Sequence, residues 1–344
     1  MKVGYLCYRL SGTGPRTRAA DVINAVAERT DHEVTVLTNE PELVSADADV
    51  HAVSIGNPFH FLRTARGAFA DADVVHVPIN VYQALFVRLV YRGPLVGGVG
   101  PGLQPSTFHK RLGRLIGIDT KIKVHQWDTQ WEEAGYETAI CTATINTDVF
   151  HPYDDERVAE LREEWGFTDD ETVVLYVGRL TEHHGAHIVD EAATLASDDE
   201  NLEFVVVGDG PLADRFHDRE NVTFCGFVEN HRMPDYYNFA DVSTAPRISD
   251  NTSNVGLESI ACGTPFVTTA TGTIEKLFGD REAYVWAARN AESLLATVRE
   301  LVADPERYER QIERGLTAIE EMPVTIDSAL RTHLTVYEGL ADRR

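Results

Sequence analysis

Short runs of β-branched and aliphatic residues alternate with segments of helical periodicity along most of the chain. In the first 150 residues, the apolar runs predict strands at 2–7, 33–37, 74–77, 95–99, 120–124 and 138–141. The helical periodicity predicts helices at 18–28, 81–91 and 127–134. Strands that alternate with helices in this way are typical of a parallel sheet covered by helices on both faces.

The alternation lapses at 147–152 and then resumes after a charged helix predicted at 155–165. The second series predicts strands at 173–177, 204–207, 222–224, 242–245, 265–268 and 284–286. Amphipathic helices are predicted late in the chain, at 291–303, 305–320 and 326–340. Because 344 residues exceed one typical core, we expect two α/β domains with a boundary near residue 150.

The charge of the chain is strongly acidic and unevenly distributed. The net charge is −24, and only five of the 31 basic residues are lysines. Residues 1–150 hold 14 basic and 16 acidic side chains, whereas the remainder holds 17 and 39. An acidic, lysine-poor surface is typical of a protein that works in high salt, so we expect a halophilic and archaeal source. The same acidity argues against nucleic acid as a partner.

One segment, 104–126, departs from this acidity. It carries Lys110, Arg111, Arg114, Lys121 and Lys123 against a single acidic residue, with apolar residues interleaved. Such a stretch can bind an anionic membrane surface or a phosphorylated acceptor. A solvated helix face is the alternative interpretation. The first three cations, Lys110, Arg111 and Arg114, are the candidate acceptor or membrane face.

The cysteines and the apolar runs predict a cytoplasmic protein. Cys7, Cys141, Cys225 and Cys262 are scattered without a paired spacing, which favours reduced core residues over disulfides or metal ligands. No apolar run has the roughly 18 residues of a membrane span, and the first residues lead directly into a strand without a signal-peptide pattern.

The most informative stretch is 246–267, where two carboxylates, Asp250 and Glu258, flank a small polar run. The order of residues predicts a strand, a loop, a helix capped by Ser253 or Asn254, a turn and a further strand. A helix start offers backbone N–H groups to a phosphate, and a carboxylate one turn inside can accept hydrogen bonds from a ribose diol. An ordinary capped helix with a surface glutamate would give the same pattern.

Glycine turns follow several other predicted strands. The turn with Gly12 and Gly14 lacks the third glycine of a dinucleotide fingerprint, because Thr17 stands there. The turn 178–185 brings Arg179 and two adjacent histidines to a strand end, where an arginine can pair with a diphosphate. Adjacent histidines do not point together, so a zinc site is not expected. Further turns contain Gly208, and Phe227 with Val228, which could border a base.

Together these landmarks resemble the family 4 glycosyltransferases of the two-domain GT-B type. The segments VGRL, VVGDGP, NVTFCGFV, FADVSTAPRISDNTSNVGLESIACGTPFV and TGTIEKLF carry the resemblance. It implies two Rossmann-like domains facing a central cleft, with the acceptor in residues 1–150 and a nucleotide-sugar donor in 151–325. It also implies transfer with retention of anomeric configuration, and a last helix, within 326–344, that crosses back to the N-terminal domain.

The resemblance implies the following donor-binding residues: Gly12, Gly14, Gly178, Arg179, His184, Gly185, Gly208, Phe227, Val228, Asp250, Asn251, Thr252, Ser253, Asn254, Val255 and Glu258. Among them, Arg179, His184 and Asp250 are the implied catalytic residues. Arg179 and a positively charged His184 would meet the leaving diphosphate. The backbone amides of 252–255 would do the same, so no metal is expected. The Asp-Ala-Asp sequences at 47–49 and 71–73 are interpreted as turns that lead into strands.

Three residues depart from the family pattern. His184 replaces a lysine, Asp250 replaces a glutamate, and Gly100 stands where the family commonly has a histidine. They leave two alternatives to a transferase: a sugar-nucleotide-binding subunit without activity, and a sugar-nucleotide epimerase on the same fold. If the transferase assignment is right, His184→Ala and Glu258→Ala should each abolish most transfer.

Overall fold

The computed structural model describes residues 1–10, 15–54, 56–78, 81–98, 107–124, 128–141, 144–217, 219–248 and 254–343. The chain divides into two compact units. The N-terminal unit contains Met1–Thr144 and Pro323–Arg344, and the C-terminal unit contains Ile145–Met322. The break therefore falls a few residues before the lapse in periodicity at 147–152.

The N-terminal unit is built on a seven-stranded parallel sheet. Its strands are β1 (Lys2–Leu6), β2 (Glu33–Thr38), β3 (Asp49–Ala52), β4 (Val74–Val77), β5 (Leu95–Gly98), β6 (Thr120–Lys123) and β7 (Glu137–Ile140). Its first helices are α1 (Pro15–Arg29), α2 (Pro58–Ala68), α3 (Val81–Val90), α4 (Thr107–Ile116) and α5 (Gln130–Glu133). The strand order is β3-β2-β1-β4-β5-β6-β7, so the chain starts in the middle of the sheet and builds toward each edge in turn.

The C-terminal unit repeats the architecture with six parallel strands. They are β8 (Thr172–Val177), β9 (Leu202–Val207), β10 (Val222–Gly226), β11 (Val242–Ala245), β12 (Phe266–Thr269) and β13 (Val285–Ala287). Its helices are α6 (Asp155–Trp165), α7 (Ala186–Leu195), α8 (Met233–Phe239), α9 (Val255–Ala261), α10 (Gly272–Phe278), α11 (Ala291–Val302) and α12 (Pro305–Glu321). The order β10-β9-β8-β11-β12-β13 reverses direction between β8 and β11. Ligands of open α/β sheets bind beside such a reversal, at the carboxyl ends of the strands.

The last helix, α13 (Ile326–Ala341), packs on the N-terminal unit. Its buried face joins the core formed by β1 and α1. A buried polar contact fixes it there: the Tyr337 hydroxyl lies 2.9 Å from the Tyr5 hydroxyl and 2.7 Å from Nδ1 of His76. The helix that the sequence predicted at 326–340 therefore returns to the first unit, as the resemblance implied.

The predicted fold class, two parallel-sheet α/β units, is confirmed. Five of the strands and α-helices were not predicted: β3, α2, α4, α8 and α10. Strand β3 is an edge strand with an exposed or half-buried residue at every position, so it lacks an apolar run. The helices are short, or begin at a proline that follows a capping residue, as α2 does after Asn57.

Candidate active site

Close backbone packing joins the carboxyl ends of β8, β9 and β11. A Cβ on Gly208, whose φ is +141°, would lie 1.8 Å from the carbonyl oxygen of Gly178. A Cβ on Gly185, with φ +80°, would lie 2.0 Å from the carbonyl oxygen of Pro246. Any side chain at either position would push two strand-end loops apart. The glycines therefore hold the loops after these three strands together at one edge of the sheet.

The loop after β8 presents Arg179 and His184. The hydroxyl of the buried Tyr176 donates to the carbonyl oxygens of Arg179, at 3.0 Å, and His184, at 3.3 Å. Nδ1 of His184 lies 2.7 Å from the Thr181 hydroxyl. The Arg179 side chain is exposed and His184 is half-buried. Both predicted cations are thus held on one short turn, with the Nε2 atom of His184 on the other side of the ring from Thr181.

The pKa of His184 is lowered in the free protein. Burial and the positive charges of Arg247 and Arg179 lower its pKa to about 4. In the free protein at pH 7 the imidazole is therefore neutral, and it can offer a ligand a hydrogen bond but no permanent charge. The charge that was expected on His184 beside a bound diphosphate stays a prediction, because this pKa is that of the free protein.

Glu258 lies in the first turn of α9, as predicted. Its Oε2 accepts a hydrogen bond of 2.8 Å from the hydroxyl of Tyr237, which is fully buried. Burial and the charge of Glu258 raise the pKa of Tyr237, so this hydroxyl stays protonated and keeps donating. Asn254 occupies the N-cap position of α9, but its side chain does not make the capping hydrogen bond.

The exposed ring of Phe227 follows β10 and lies beside the same sheet edge. Phe227 is 79% exposed, which is unusual for a phenylalanine. The carbonyl oxygen of the preceding Gly226 accepts from the amide of Gly208 at 2.8 Å, so the turns after β9 and β10 are joined. Val228 is half-buried. An exposed aromatic ring at this position is free to stack on a ligand.

Several predicted residues lie outside the described part of the chain. They are Gly12, Gly14, Gly100, Asp250, Asn251, Thr252 and Ser253. The structure thus describes the part of the predicted site that contains Arg179, His184 and Glu258. The role of Asp250 stays a prediction.

Sequence reasoning missed Arg247, which comes two residues after the end of β11. Its side chain is only 8% exposed, and its Nε has no hydrogen-bond partner among the described residues. The amide of the next residue, Ile248, donates to the carbonyl oxygen of His183, which ties this loop to the Arg179–His184 turn. The only signal in the sequence was an arginine at a strand end, because its burial depends on the tertiary structure.

The basic segment 104–126 divides into a surface part and a buried part. Lys110, Arg111 and Arg114 lie on α4, where Arg111 and Arg114 are exposed. Lys121 and Lys123 lie on β6 and are only 4% and 2% exposed. The expectation that Lys121 and Lys123 contribute to a basic surface is therefore wrong. Helices cover this parallel sheet on both faces, so an alternating strand has no solvent-facing side.

Other polar residues considered in the sequence have structural partners. The buried carboxylate of Asp190 pairs with Arg215, at 3.3 Å, and with Arg219. Asp73 accepts from the backbone amide of Lys2 at 2.8 Å, directly before β4. Among the described residues, no group of three or more His, Cys, Asp or Glu side chains is arranged to hold a metal ion. None of the helices described is long and apolar enough to cross a membrane.

Comparison with known proteins shows that the segment containing this site is similar to a family model. Residues 158–317, just under half of the chain, match the family model "Glycosyl transferases group 1". This range contains Arg179, His184, Arg247 and Glu258, so the strand-end site belongs to the matched domain.

Two curated relatives illustrate the similarity in sequence. A GDP-mannose-dependent alpha-(1-6)-phosphatidylinositol dimannoside mannosyltransferase of Mycobacterium tuberculosis is 28% identical over 60% of this chain and 61% of its own length. An alpha-D-kanosaminyltransferase of Streptomyces kanamyceticus is 30% identical over 50% of this chain and 47% of its own. The matches thus span less than two thirds of either relative.

Solved structures match the whole chain. A glycosyltransferase from Rickettsia africae aligns with a TM-score of 0.81 and 13% identity, over 100% of this chain and 99% of that one. HepE from Anabaena in complex with UDP-glucose aligns with a TM-score of 0.78 and 15% identity, over 99% and 100%. At these identities the likeness establishes the fold, which is the GT-B arrangement of two Rossmann-like α/β domains.

Proposed function

We propose that the protein is a retaining glycosyltransferase that moves a sugar from a nucleotide-diphosphate donor to a hydroxyl acceptor. The observation that carries this proposal is the placement of Arg179 and His184 on one fixed turn at the sheet edge of a glycosyltransferase group 1 domain. The glycosyltransferase names of both relatives and the UDP-glucose in the HepE structure support a nucleotide-sugar donor.

Each residue of this edge has a role in the proposed reaction. The planar guanidinium of Arg179 pairs with the diphosphate, and an N–H of His184 donates to it. Glu258 accepts hydrogen bonds from the ribose diol, and Phe227 borders the base. As the bond between the sugar and the diphosphate breaks, the diphosphate takes the electron pair. The acceptor hydroxyl attacks from the same face and loses its proton to a phosphate oxygen of the departing diphosphate. The charge of Arg179 and the N–H of His184 then stabilise the developing negative charge without a metal ion.

A donor screen followed by a transfer assay tests this proposal. Thermal shifts at molar salt are measured with UDP- and GDP-linked sugars, and the best donor is then incubated with saccharide and lipid-linked acceptors. Transfer with retained anomeric configuration, determined by NMR, supports the proposal. Binding without transfer or hydrolysis would instead support a subunit without activity, and interconversion of the sugar nucleotide without acceptor would support an epimerase.

We also propose that the acceptor is reached at an anionic membrane surface, through the α3–α4 face. This face consists of the exposed apolar residues Tyr82, Leu85, Phe86 and Leu89 of α3, Phe108 and Leu115 of α4, and the cations Lys110, Arg111 and Arg114. The Tyr82 hydroxyl lies 3.0 Å from Nε2 of His109, so the two helices present their apolar residues side by side. Apolar side chains flanked by cations are typical of proteins that lie on anionic lipid, and the mannosyltransferase relative is named for a lipid acceptor.

Liposome binding tests the α3–α4 face. Wild-type protein should sediment with vesicles that contain anionic lipid, and Lys110→Glu/Arg111→Glu/Arg114→Glu should abolish this. Leu115→Ser, which removes an 86% exposed leucine, should weaken it. Leu195→Ser is the matched control, because Leu195 is 55% exposed on α7 of the other unit. Unchanged sedimentation of the charge-reversed variant would contradict the membrane proposal.

A further inference from the structure

Arg247 is a buried cation at the edge of the donor site that the family resemblance does not assign. Its backbone is fixed from two sides: its amide donates to the carbonyl oxygen of Ala245 at 2.8 Å, and its carbonyl oxygen accepts from the Thr269 hydroxyl at 2.5 Å. The side chain lies close enough to His184 and Tyr176 to affect the titration of both. It therefore extends from the end of β11 toward the turn that carries Arg179 and His184.

The guanidinium has no counter-charge among the described residues. No Asp or Glu of the described chain lies within ion-pair distance of it, and Nε makes no hydrogen bond there. Its electrostatic neighbours are the phenol of Tyr176 and the neutral imidazole of His184. A buried charge without a partner destabilises a fold unless a ligand or water completes its hydrogen bonds. Such an arrangement is expected where an anion binds.

We propose that Arg247 binds the diphosphate of the donor, as the permanent positive charge beside Arg179 and His184. This inference rests on the proposed function for the nature of the ligand. His184 is neutral in the free protein, so the turn after β8 supplies only the one permanent charge of Arg179. Arg247 supplies a second from the neighbouring strand, and its planar fork can donate two parallel hydrogen bonds to phosphate oxygens. The two arginines then hold the diphosphate from two adjacent loops.

Calorimetric binding of inorganic pyrophosphate, UDP and GDP to Arg247→Gln tests the proposal at a fixed salt concentration. The expected result is a loss of affinity of about tenfold to a hundredfold for every diphosphate that wild-type protein binds, since a charge-assisted hydrogen-bonding group is removed. Binding of uridine or guanosine, which lack phosphate, should not change. Arg310→Gln is the matched control, because it removes the same charge from an exposed position on α12.

The stability of the ligand-free protein separates ligand binding from a structural role. If Arg247 is held for an anion, Arg247→Gln should unfold at the same temperature as wild type or higher, because an unpaired buried charge is lost. A lowered unfolding temperature with unchanged pyrophosphate affinity would overturn the proposal, and would point to a protein partner such as Asp250. If Arg247→Gln does not fold, Arg247→Lys gives the same test, since lysine keeps the charge but loses the planar fork.

The same titrations distinguish failure of this inference from failure of the proposed function. Wild-type protein that binds diphosphates, with affinity independent of Arg247, overturns the inference alone. Wild-type protein that binds neither pyrophosphate nor any nucleoside diphosphate overturns both. Protein that binds diphosphates through Arg247 but transfers no sugar supports the inference and contradicts the proposed activity.

Discussion

Glu258 is held by a buried partner, which determines how its role can be tested. The fully buried Tyr237 hydroxyl donates to it at 2.8 Å, so Glu258→Ala would leave that hydroxyl without an acceptor and destabilise the protein by about 1–3 kcal/mol. Glu258→Gln keeps an acceptor oxygen. We expect it to lower the affinity for a nucleoside diphosphate about tenfold or more, with an unfolding temperature close to that of wild type.

Ligands that lack the ribose hydroxyls supply the control for Glu258. Isothermal titration with UDP or GDP and with the matching 2′,3′-dideoxy nucleotide should show the tenfold loss only for the ribonucleotide. An equal loss for both ligands would mean that Glu258 does not recognise the diol.

The burial of Lys121 should make the stability of the protein depend on pH. Burial lowers its pKa from 10.5 to about 8, and among the described residues the faces of Trp131 and Tyr136, at 5.0 and 5.9 Å, offset part of the lost hydration. At pH 7 the lysine is charged in both the folded and the unfolded chain, so the folded state bears the full penalty of burial. As the pH rises from 8 to 10.5, the folded lysine is neutral first, and stability increases over that window.

Lys121→Met should therefore raise the free energy of unfolding at pH 7 by about 1–3 kcal/mol. The gain should shrink above pH 8, as the wild-type lysine loses its proton in the folded state. Urea denaturation at pH 7 and pH 9.5 measures both effects, with Lys110→Met on the surface helix α4 as control. A destabilised Lys121→Met would show that the lysine has an acceptor that the described residues do not contain.

These residues mark the limit of what the sequence could predict at this scale. Arg179, His184 and Glu258 could be placed because each follows a strand end or opens a helix, and such positions are local properties of the chain. The burial of Arg247 and Lys121 could not be predicted, because it depends on which elements pack against them. The lowered pKa of His184 could not be predicted either, since Arg247, one of its causes, is 63 residues away in sequence.

At the scale of elements, apolar runs that are buried on both faces were the most predictable. All six strands of the C-terminal unit were predicted within one or two residues, because parallel strands covered by helices are apolar along their length. Strand β3 was missed for the opposite reason, since it lies at an edge and reads Asp-Val-His-Ala. The turn that joins β8 to α7 was located from the sequence. The hydrogen bonds from Tyr176 that fix this turn could be identified only from the structure.

Helix α13 carries a pH-dependent attachment to the N-terminal unit. His333 is fully buried beside His76, Tyr337 and, through His76, the charge of Lys121. Burial lowers the pKa of His333 to about 4, from 6.5. Above pH 6.5 it is neutral in both folded and unfolded states. As the pH falls from 6.5 to 4, only the unfolded chain takes up the proton, so stability is lost across that window.

We expect the titration of His333 to lower the free energy of unfolding of the wild-type protein by up to about 3 kcal/mol as the pH falls from 6.5 to 4. His333→Asn keeps an N–H for the carbonyl oxygen of Ala329 and removes the titration, so its stability should fall less steeply over the same window. Urea denaturation at intervals between pH 7 and 4 measures the slope. His231→Asn, at a 73% exposed position, is the control. Equal slopes for wild type and His333→Asn would contradict the attachment mechanism.

For the whole molecule, the acidic charge is the feature with the widest consequence. Of the net −24, the first 150 residues contribute −2, and the remainder, which contains the segment that matches the glycosyltransferase model, contributes −22. Like charges at this density repel one another in the folded state, where they are closer together than in the unfolded chain. The proposed donor is itself an anion, so the exposed Arg179 and the buried Arg247 would have to attract it against this background.

Salt should therefore stabilise the protein, because raising the ionic strength from 0.1 to 1 M shortens the screening length from about 10 to about 3 Å. Variants of helix α12 can test whether charge repulsion causes this effect. Three of its residues, Glu309, Glu313 and Glu320, are exposed and make no ion pair with other described residues. Changing all three to Gln should raise the unfolding temperature at 0.1 M NaCl and reduce the further gain at 1 M. Changing them to Asp keeps the charge and should leave both values near those of wild type. Two outcomes would contradict this explanation: an unfolding temperature that is independent of salt, or an equal response of the Gln and Asp variants. Either would show that repulsion among surface carboxylates does not limit stability at low salt. The expectation of a high-salt origin would then lose its physical basis.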